Sequence, residues 1–146
     1  MADRVVMYKC DDGGCGVLRI IQPAKYLKNL GYKVSLELLN TSHSIDPDTK
    51  LCVFQRDYVQ PDTPQYWEWL KKQGIKIVYD LDDDIFDVPE SNPNYTLFKR
   101  IDIRSRYEFY LRYADLVTVS TNYLKTRLEN FNQNIVVLPN CIDFET

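Results

Sequence analysis

The chain has 146 residues, 45% of them hydrophobic, which is enough for one domain with a buried core. Its net charge of −3 gives no general attraction to nucleic acid, so a nucleic-acid partner is not expected. The apolar run between Arg4 and Lys9 is too short for a signal-peptide core or a membrane span. We therefore predict a single cytoplasmic domain over residues 1–146.

Short apolar runs alternate with helical patterns along the chain. Strands are predicted at residues 4–9, 32–39, 51–55, 75–81, 116–120 and 135–138. Helices are predicted at residues 17–30, 65–73, 96–113 and 122–131. Pro23 predicts a kink or a fresh start in the first helix. The predicted inner stripe of the 96–113 helix is Phe98, Ile101, Ser105, Phe109 and Tyr113.

This alternation predicts an α/β fold, a Rossmann-like, doubly wound parallel sheet of about six strands in a three-layer α/β/α arrangement. The loops that follow the strands then share one edge of the sheet, which is where ligands bind in open α/β sheets. The four cysteines form no CxxC pair and match no standard zinc signature, so reduced thiols are expected rather than a metal site or a disulfide.

The fourth predicted strand ends in four carboxylates, Asp80, Asp82, Asp83 and Asp84. They must be solvated, paired or engaged with a ligand. We expect one or two to bind ligand hydroxyls or to pair with Arg56 or Arg19, and the rest to cap the next segment or face water. Several carboxylates could hold a divalent cation, but alternation along the strand end directs Asp83 away from the others, which argues against a metal site.

The glycine-rich turn Gly13-Gly14-Cys15-Gly16 precedes the first helix. Its backbone N–H groups and the helix dipole suit a phosphate or a sugar hydroxyl. Arg19, one turn into the helix, could add a bidentate contact to a diphosphate. The turn matches neither GxGxxG nor a P-loop, so a plain tight turn is an equal alternative.

Three further polar residues fall on the same predicted edge. His43 lies in a loop where a neutral imidazole could bind substrate, although a lone loop histidine is usually just exposed. Thr121 is expected to cap the following helix and is also compatible with a ligand contact. Asn140 follows the last predicted strand and could mark a hinge.

The predicted 96–113 helix is basic, with Lys99, Arg100, Arg104, Arg106 and Arg112 interleaved with tyrosines. Such a helix could lie on an anionic membrane surface or hold a lipid-linked acceptor. Acidic residues interrupt the charge, which favours a solvated helix face with a tyrosine-rich core side. A peripheral membrane contact stays open as the alternative.

The order of these motifs resembles the amino-terminal half of a GT-B type, group 1 glycosyltransferase. The likeness runs from about residue 5 to residue 143. It rests on five blocks: residues 16–27 (GVLRIIQPAKYL) with 30–34, 53–57 (VFQRD), 77–86 (IVYDLDDDIF) with 88–89, 114–121 (ADLVTVST) with 124, and 136–143 (VVLPNCID).

The resemblance implies transfer of a sugar from a nucleotide-sugar donor to an acceptor (a glycan, lipid or protein) in a cleft between two Rossmann-like domains, without a bound metal or a tightly bound cofactor. The first domain of such enzymes chiefly holds the acceptor. The chain stops where the linker to the second domain would begin, so the donor-binding domain is expected to be absent or to belong to a second chain. Among the residues at the predicted edge, the catalytic candidates are Asp82, Asp83 and His43. The substrate-binding candidates are Gly13, Gly14, Gly16, Arg19, Arg56, Asp80, Asp84, Thr121 and Asn140.

Two non-enzyme alternatives stay open. The first is a phospho-receiver domain, which is also doubly wound. Its acidic pair would correspond to Asp11 and Asp12 after the first strand, and its acceptor aspartate to Asp57 after the third. Receivers also need a Ser or Thr after strand four and a Lys after strand five, whereas these strands end in Asp80 and Ser120. The other alternative is a non-catalytic interaction module derived from a glycosyltransferase, using the same edge for a protein partner.

Overall fold

The computed structural model describes residues 3–38, 45–56 and 63–142. Its strands are β1 Arg4–Lys9, β2 Lys33–Leu38, β3 Thr49–Gln55, β4 Lys76–Leu81, β5 Leu116–Val119 and β6 Ile135–Val137. Its helices are α1 Gly14–Gly16, α2 Gln22–Asn29, α3 Thr63–Lys72, α4 Tyr95–Phe98, α5 Ile101–Tyr113 and α6 Asn122–Leu128, with a π-helical turn at Val17–Ile21 between α1 and α2.

The six strands form one parallel sheet in the order β2-β1-β3-β4-β5-β6. Successive residues of β1 enter two separate apolar clusters, because side chains alternate between the faces of a sheet. Val5 and Met7 pack with Ile20 and Ala24 of the first helical segment. Val6 and Tyr8 belong to the larger cluster, which includes residues of α3, α5 and α6. Helices thus flank the sheet, and the predicted Rossmann-like α/β fold is confirmed.

The larger cluster is centred on aromatic rings. Tyr8 stacks on Phe54 with ring centroids 4.6 Å apart, and Trp67 contacts Phe54 and Tyr110 with centroids at 4.8 Å. Trp67, Tyr110 and Phe54 are fully buried. Rings of this size bury much of the apolar area that stabilises so short a chain, and they fix α3 and α5 against the sheet.

The first helical segment is continuous through Pro23, but it changes there from a π-helical turn to α2, with Pro23 in the first turn of α2 as predicted. Gln22 N donates to Val17 O in the π-helical turn, and α2 follows with Pro23 in its first turn. Proline has no N–H to donate to the preceding turn, so it fits best where a helix begins.

The predicted single helix over residues 96–113 is wrong. Arg100 has an extended backbone, with φ −67° and ψ 131°, and separates α4 from α5. The predicted inner stripe is correct in part, because Phe98, Phe109 and Tyr113 pack against the larger cluster while Ile101 and Ser105 are exposed. α5 buries Tyr107, Tyr110 and Leu111, whereas Ile101 is 83% exposed.

No helix in the described ranges combines the length and the apolar character needed to cross a bilayer.

At the amino-terminal edge of the sheet, Asp48 links three strands. Its carboxylate accepts hydrogen bonds from Arg4 Nε of β1 at 2.8 Å and from Lys33 Nζ of β2 at 2.9 Å, and Asp48 directly precedes β3. The hydrogen bonds from Lys33 and Arg4 lower the pKa of Asp48 to about 2.

This lowered pKa predicts a pH dependence of stability. A carboxyl group whose pKa is lower in the folded state stabilises the fold above its unfolded pKa of about 3.9, and this stabilisation is lost as the pH falls toward the folded pKa. We expect Asp48→Asn to be less stable than the wild type near neutral pH and to lose less stability between about pH 5 and pH 2. Urea denaturation at a series of pH values measures both effects. Glu129→Gln, which removes an exposed carboxylate at the end of α6, is the control, and equal slopes for all three proteins would contradict the role of Asp48.

Candidate functional site

The candidate site lies where the chain changes direction in the sheet. β1 lies between β2 and β3, so the chain moves to one side after β1 and to the other after β2. In open α/β sheets, ligands bind in the crevice at such a switch point, outside the carboxyl ends of the strands. We call the part of this edge formed by residues 10–16, Gln55, Arg56 and Asp82 the switch-point crevice.

The carboxylate of Asp11 occupies the glycine-rich turn. Asp11 Oδ1 accepts hydrogen bonds from Gly13 N at 2.7 Å and Gly16 N at 3.1 Å, and the Cys10 thiol donates to Oδ2 at 3.1 Å. The Cys10 thiol, together with these two amides, lowers the pKa of Asp11. The position where an anion was expected is therefore held by the chain's own carboxylate. Ligand contacts by Gly13, Gly14 and Gly16 stay predictions.

Gly16 allows this arrangement by lacking a side chain. A Cβ at Gly16 would overlap the carbonyl oxygen of Asp11, whereas a Cβ at Gly14 would meet nothing within 4 Å. The sequence showed a glycine-rich turn but not which glycine the packing requires.

Arg19 and Asp80 form a buried ion pair. Arg19 Nε lies 3.0 Å from Asp80 Oδ2 and Arg19 Nη2 lies 2.5 Å from Oδ1, while Thr118 Oγ1 donates to Oδ1 at 2.6 Å. Burial raises the pKa of Asp80, and the guanidinium and the hydroxyl oppose that shift. Arg19 Nη1 also donates to Leu138 O and, at 3.2 Å, to Asn140 Oδ1.

The expected pairing of an acidic residue with Arg19 is thus present. The same contacts tie the segment after β6 to the first helical segment. The substrate contacts predicted for Arg19, Asp80 and Asn140 stay predictions, and all three residues have internal partners.

Arg56 contacts the next two carboxylates. Its Nη1 pairs with Asp83 Oδ2 and lies 3.4 Å from Asp82 Oδ1. The Asp82 side chain is 6% exposed and that of Asp83 is 62% exposed, in line with the expected opposite directions of these side chains. The two carboxylate candidates for catalysis therefore lie beside one cation at the carboxyl edge.

Asp84 and Thr121 have capping roles. Asp84 Oδ1 accepts from Phe86 N at 3.1 Å, and Asp84 Oδ2 accepts from Arg127 Nε at 3.0 Å. Thr121 Oγ1 accepts from Leu124 N at 3.2 Å and caps α6, as expected. The substrate contacts predicted for the two residues stay predictions.

Sequence reasoning missed two residues of the crevice. Gln55 is fully buried at the end of β3, and its Oε1 accepts from Cys10 N at 2.9 Å. The Cys15 thiol hydrogen-bonds to Asp82, which, with burial, raises the pKa of Cys15 to about 11. The signal for Gln55 was an amide side chain closing the apolar run LCVFQ, where a buried strand otherwise has apolar residues.

A cavity of about 630 Å³ lies next to the crevice. Arg56 and Asp83 line it on the side of the sheet, and Leu97, Phe98 and Tyr107 line it from α4 and α5. Its size falls in the range of ligand sites, and its walls combine apolar and aromatic groups with carboxylates and amides.

His43 lies outside the described residues, as does Asp57. Across residues 3–38, 45–56 and 63–142, no group of three His, Cys, Asp or Glu side chains is arranged to hold a metal ion.

No protein-family model matches this chain, and no curated protein was found to match it in sequence. Function must therefore be sought in the fold and in the chemistry of the carboxyl edge.

Proposed function

We propose that this chain is the acceptor-side half of a glycosyltransferase, which moves a sugar from a nucleotide-sugar donor to an acceptor hydroxyl. The observation that carries the proposal is the 630 Å³ cavity with Asp83 and Arg56 in its wall, beside the switch point of a doubly wound sheet. The order of sequence motifs that resembles group 1 enzymes gives additional support.

The reaction needs a group that takes a proton. The acceptor oxygen bonds to the anomeric carbon of the donor sugar, the bond from that carbon to the diphosphate oxygen breaks, and the electron pair leaves with the nucleoside diphosphate. The hydroxyl proton passes to a carboxylate acting as general base. Asp83 faces the cavity and takes this role in our proposal, with Asp82 beside it and Arg56 orienting both.

The glycine-rich turn, where an anion could bind, is already occupied by a carboxylate. This favours assigning the chain to the acceptor side of the enzyme rather than to the donor side. Asp11 holds the two amides of the glycine-rich turn, and Arg19 is engaged with Asp80. A nucleotide diphosphate would compete with these carboxylates. In the proposal, a second domain or chain therefore supplies the main diphosphate contacts.

Thermal-shift measurements test the proposal. The purified chain is screened against nucleotide sugars and, separately, against oligosaccharides, because a ligand that binds only the folded state raises the melting temperature. We expect an oligosaccharide to raise it without any nucleotide. A shift with a nucleotide sugar alone would overturn the acceptor-side assignment, and no shift with either class would overturn the proposal.

Replacing the two candidate carboxylates, Asp82 and Asp83, tests their role. We expect the double variant Asp82→Asn/Asp83→Asn to slow partner-dependent sugar transfer by about 100-fold or more, since general-base catalysis contributes that much. Its circular dichroism spectrum should match that of the wild type. Glu129→Gln removes an exposed carboxylate outside the cavity wall and should transfer at the wild-type rate. Unchanged turnover in the double variant would remove Asp82 and Asp83 from the mechanism.

The strand order gives one observation in favour of a phospho-receiver. Receivers of this class have the order β2-β1-β3-β4-β5, as this sheet does over its first five strands. Acetyl phosphate tests the alternative: a receiver gains one phosphoryl group, which mass spectrometry detects, and Asp57→Asn abolishes the gain. The crowd of carboxylates after β4 disfavours a phosphate there.

A further inference from the structure

Two buried polar atoms at the switch-point crevice have no hydrogen-bond partner among the described residues. They are the amide nitrogen of Gln55, Nε2, and one carboxylate oxygen of Asp82, Oδ1. Asp82 Oδ1 has an ion-pair contact with Arg56 Nη1 at 3.4 Å but accepts no hydrogen bond, and Gln55 Nε2 donates none. Buried polar atoms are nearly always hydrogen-bonded, so both atoms require an explanation.

The orientation of the Gln55 amide is fixed by its neighbour. Cys10 N donates to Gln55 Oε1 at 2.9 Å, and a flipped amide would turn its NH2 group toward that N–H. Nε2 is therefore a donor. Gln55 pairs with Asp80 in the sheet, so Asp82 lies just beyond, on the neighbouring strand and at the same edge.

The surroundings disfavour a charged ligand. Asp11 already holds the helix amides, and Asp82 and Asp83 repel a phosphate or a carboxylate. Arg56 is the cation near these acids and is paired with them. A cationic amine would satisfy Asp82 but has no lone pair for Gln55 Nε2.

We propose that the switch-point crevice binds hydroxyl groups of an uncharged polyol, which accept from Gln55 Nε2 and donate to Asp82 Oδ1. A hydroxyl group both accepts and donates, so one kind of ligand group satisfies both atoms. The inference rests on the proposed function only in identifying the polyol with the sugar acceptor. Gln55 and Asp82 then hold the acceptor, and Asp83 is left to face the reacting hydroxyl.

The cavity lies next to these atoms. Arg56 lines it, and Arg56 Nη1 lies 3.4 Å from Asp82 Oδ1, whereas Gln55 and Asp82 are not among its lining residues. In the proposal, a ring hydroxyl in the cavity reaches the two atoms by displacing the Arg56 side chain from Asp82.

Nuclear magnetic resonance of the side-chain amide of Gln55 tests the inference directly. The ¹⁵N-labelled chain is titrated with the methyl glycosides of glucose, galactose and mannose, with myo-inositol, and with inorganic phosphate as the anionic comparison. We expect the Gln55 NH2 signals to shift and saturate with at least one polyol and to stay unchanged with phosphate. Gln55→Met should weaken polyol binding by at least about 10-fold, while Gln65→Met, on the exposed face of α3, should bind as the wild type does.

Three results would overturn the inference. Gln55 signals that no polyol moves would mean that water alone satisfies these atoms. An equal shift with phosphate would exclude an uncharged ligand class, and wild-type affinity in Gln55→Met would exclude the amide. If Gln55→Met does not fold, the titration of the wild type alone still tests whether a polyol binds at Gln55. Polyol binding without sugar transfer, even when the donor-binding partner is present, would refute the proposed function alone. Partner-dependent transfer with unmoved Gln55 signals would refute this inference alone.

Discussion

Gly16→Ala should lower the free energy of unfolding by about 3 kcal/mol or prevent folding, because overpacking against backbone is among the most costly single changes. Gly16 has ordinary helical angles, φ −61° and ψ −41°, so alanine meets no conformational strain there. The whole cost is steric, since the new methyl group would overlap Asp11 O.

Gly14→Ala is the matched control for this prediction. It makes the same chemical change two residues earlier, where a Cβ has open space. Alanine is the better helix former, so this variant should be up to about 1 kcal/mol more stable than the wild type. Urea denaturation followed by circular dichroism measures both variants. Equal free energies of unfolding for the two variants would show that the turn relaxes around Gly16. The close packing at Gly16 would then not contribute to stability.

Arg19→Met should be the second severe change, costing about 3–5 kcal/mol, because it leaves the Asp80 carboxylate buried without its counter-charge. The pair is almost fully enclosed, with both side chains 4% exposed. Arg19 also holds Leu138 O, so the loss should loosen the segment after β6.

The exposed pair Arg100 and Asp102 provides the control. Arg100→Met makes the same substitution in a solvated pair and should leave stability close to that of the wild type. In Arg19→Met/Asp80→Asn, the buried charge is gone and the amide can still accept from Thr118, so part of the lost stability should return. If the single variant Arg19→Met is as stable as the wild type, burying the Asp80 carboxylate without a counter-charge does not destabilise the fold.

The strands could be predicted from sequence because each apolar run is short and bounded by turn residues. Predicted and observed strands differ by at most two residues at any end, as in β3, which begins at Thr49 rather than residue 51. The break at Arg100 could not be predicted, since no proline or glycine marks it and the helical pattern continues on both sides.

The site was predictable in its location but not in its pairings. Parallel strands bring their following loops to one edge, so the meeting of Arg56 with Asp82 and Asp83 follows from the fold. Which carboxylate takes which cation depends on side-chain directions that no sequence period encodes. Asp11 was expected to face a ligand edge, and nothing local showed that it would turn back onto the amides of Gly13 and Gly16.

The strand order also bears on how the sheet grows during synthesis. After β1 and β2 have paired, β3, β4, β5 and β6 each join the open edge in the order in which the ribosome makes them. A nascent chain can therefore extend the sheet without waiting for a later strand to be inserted between earlier ones. Arg19 gains its Leu138 acceptor, 119 residues away, only once β6 has been made. The hydrogen bond that fixes the first helical segment to the segment after β6 therefore forms last.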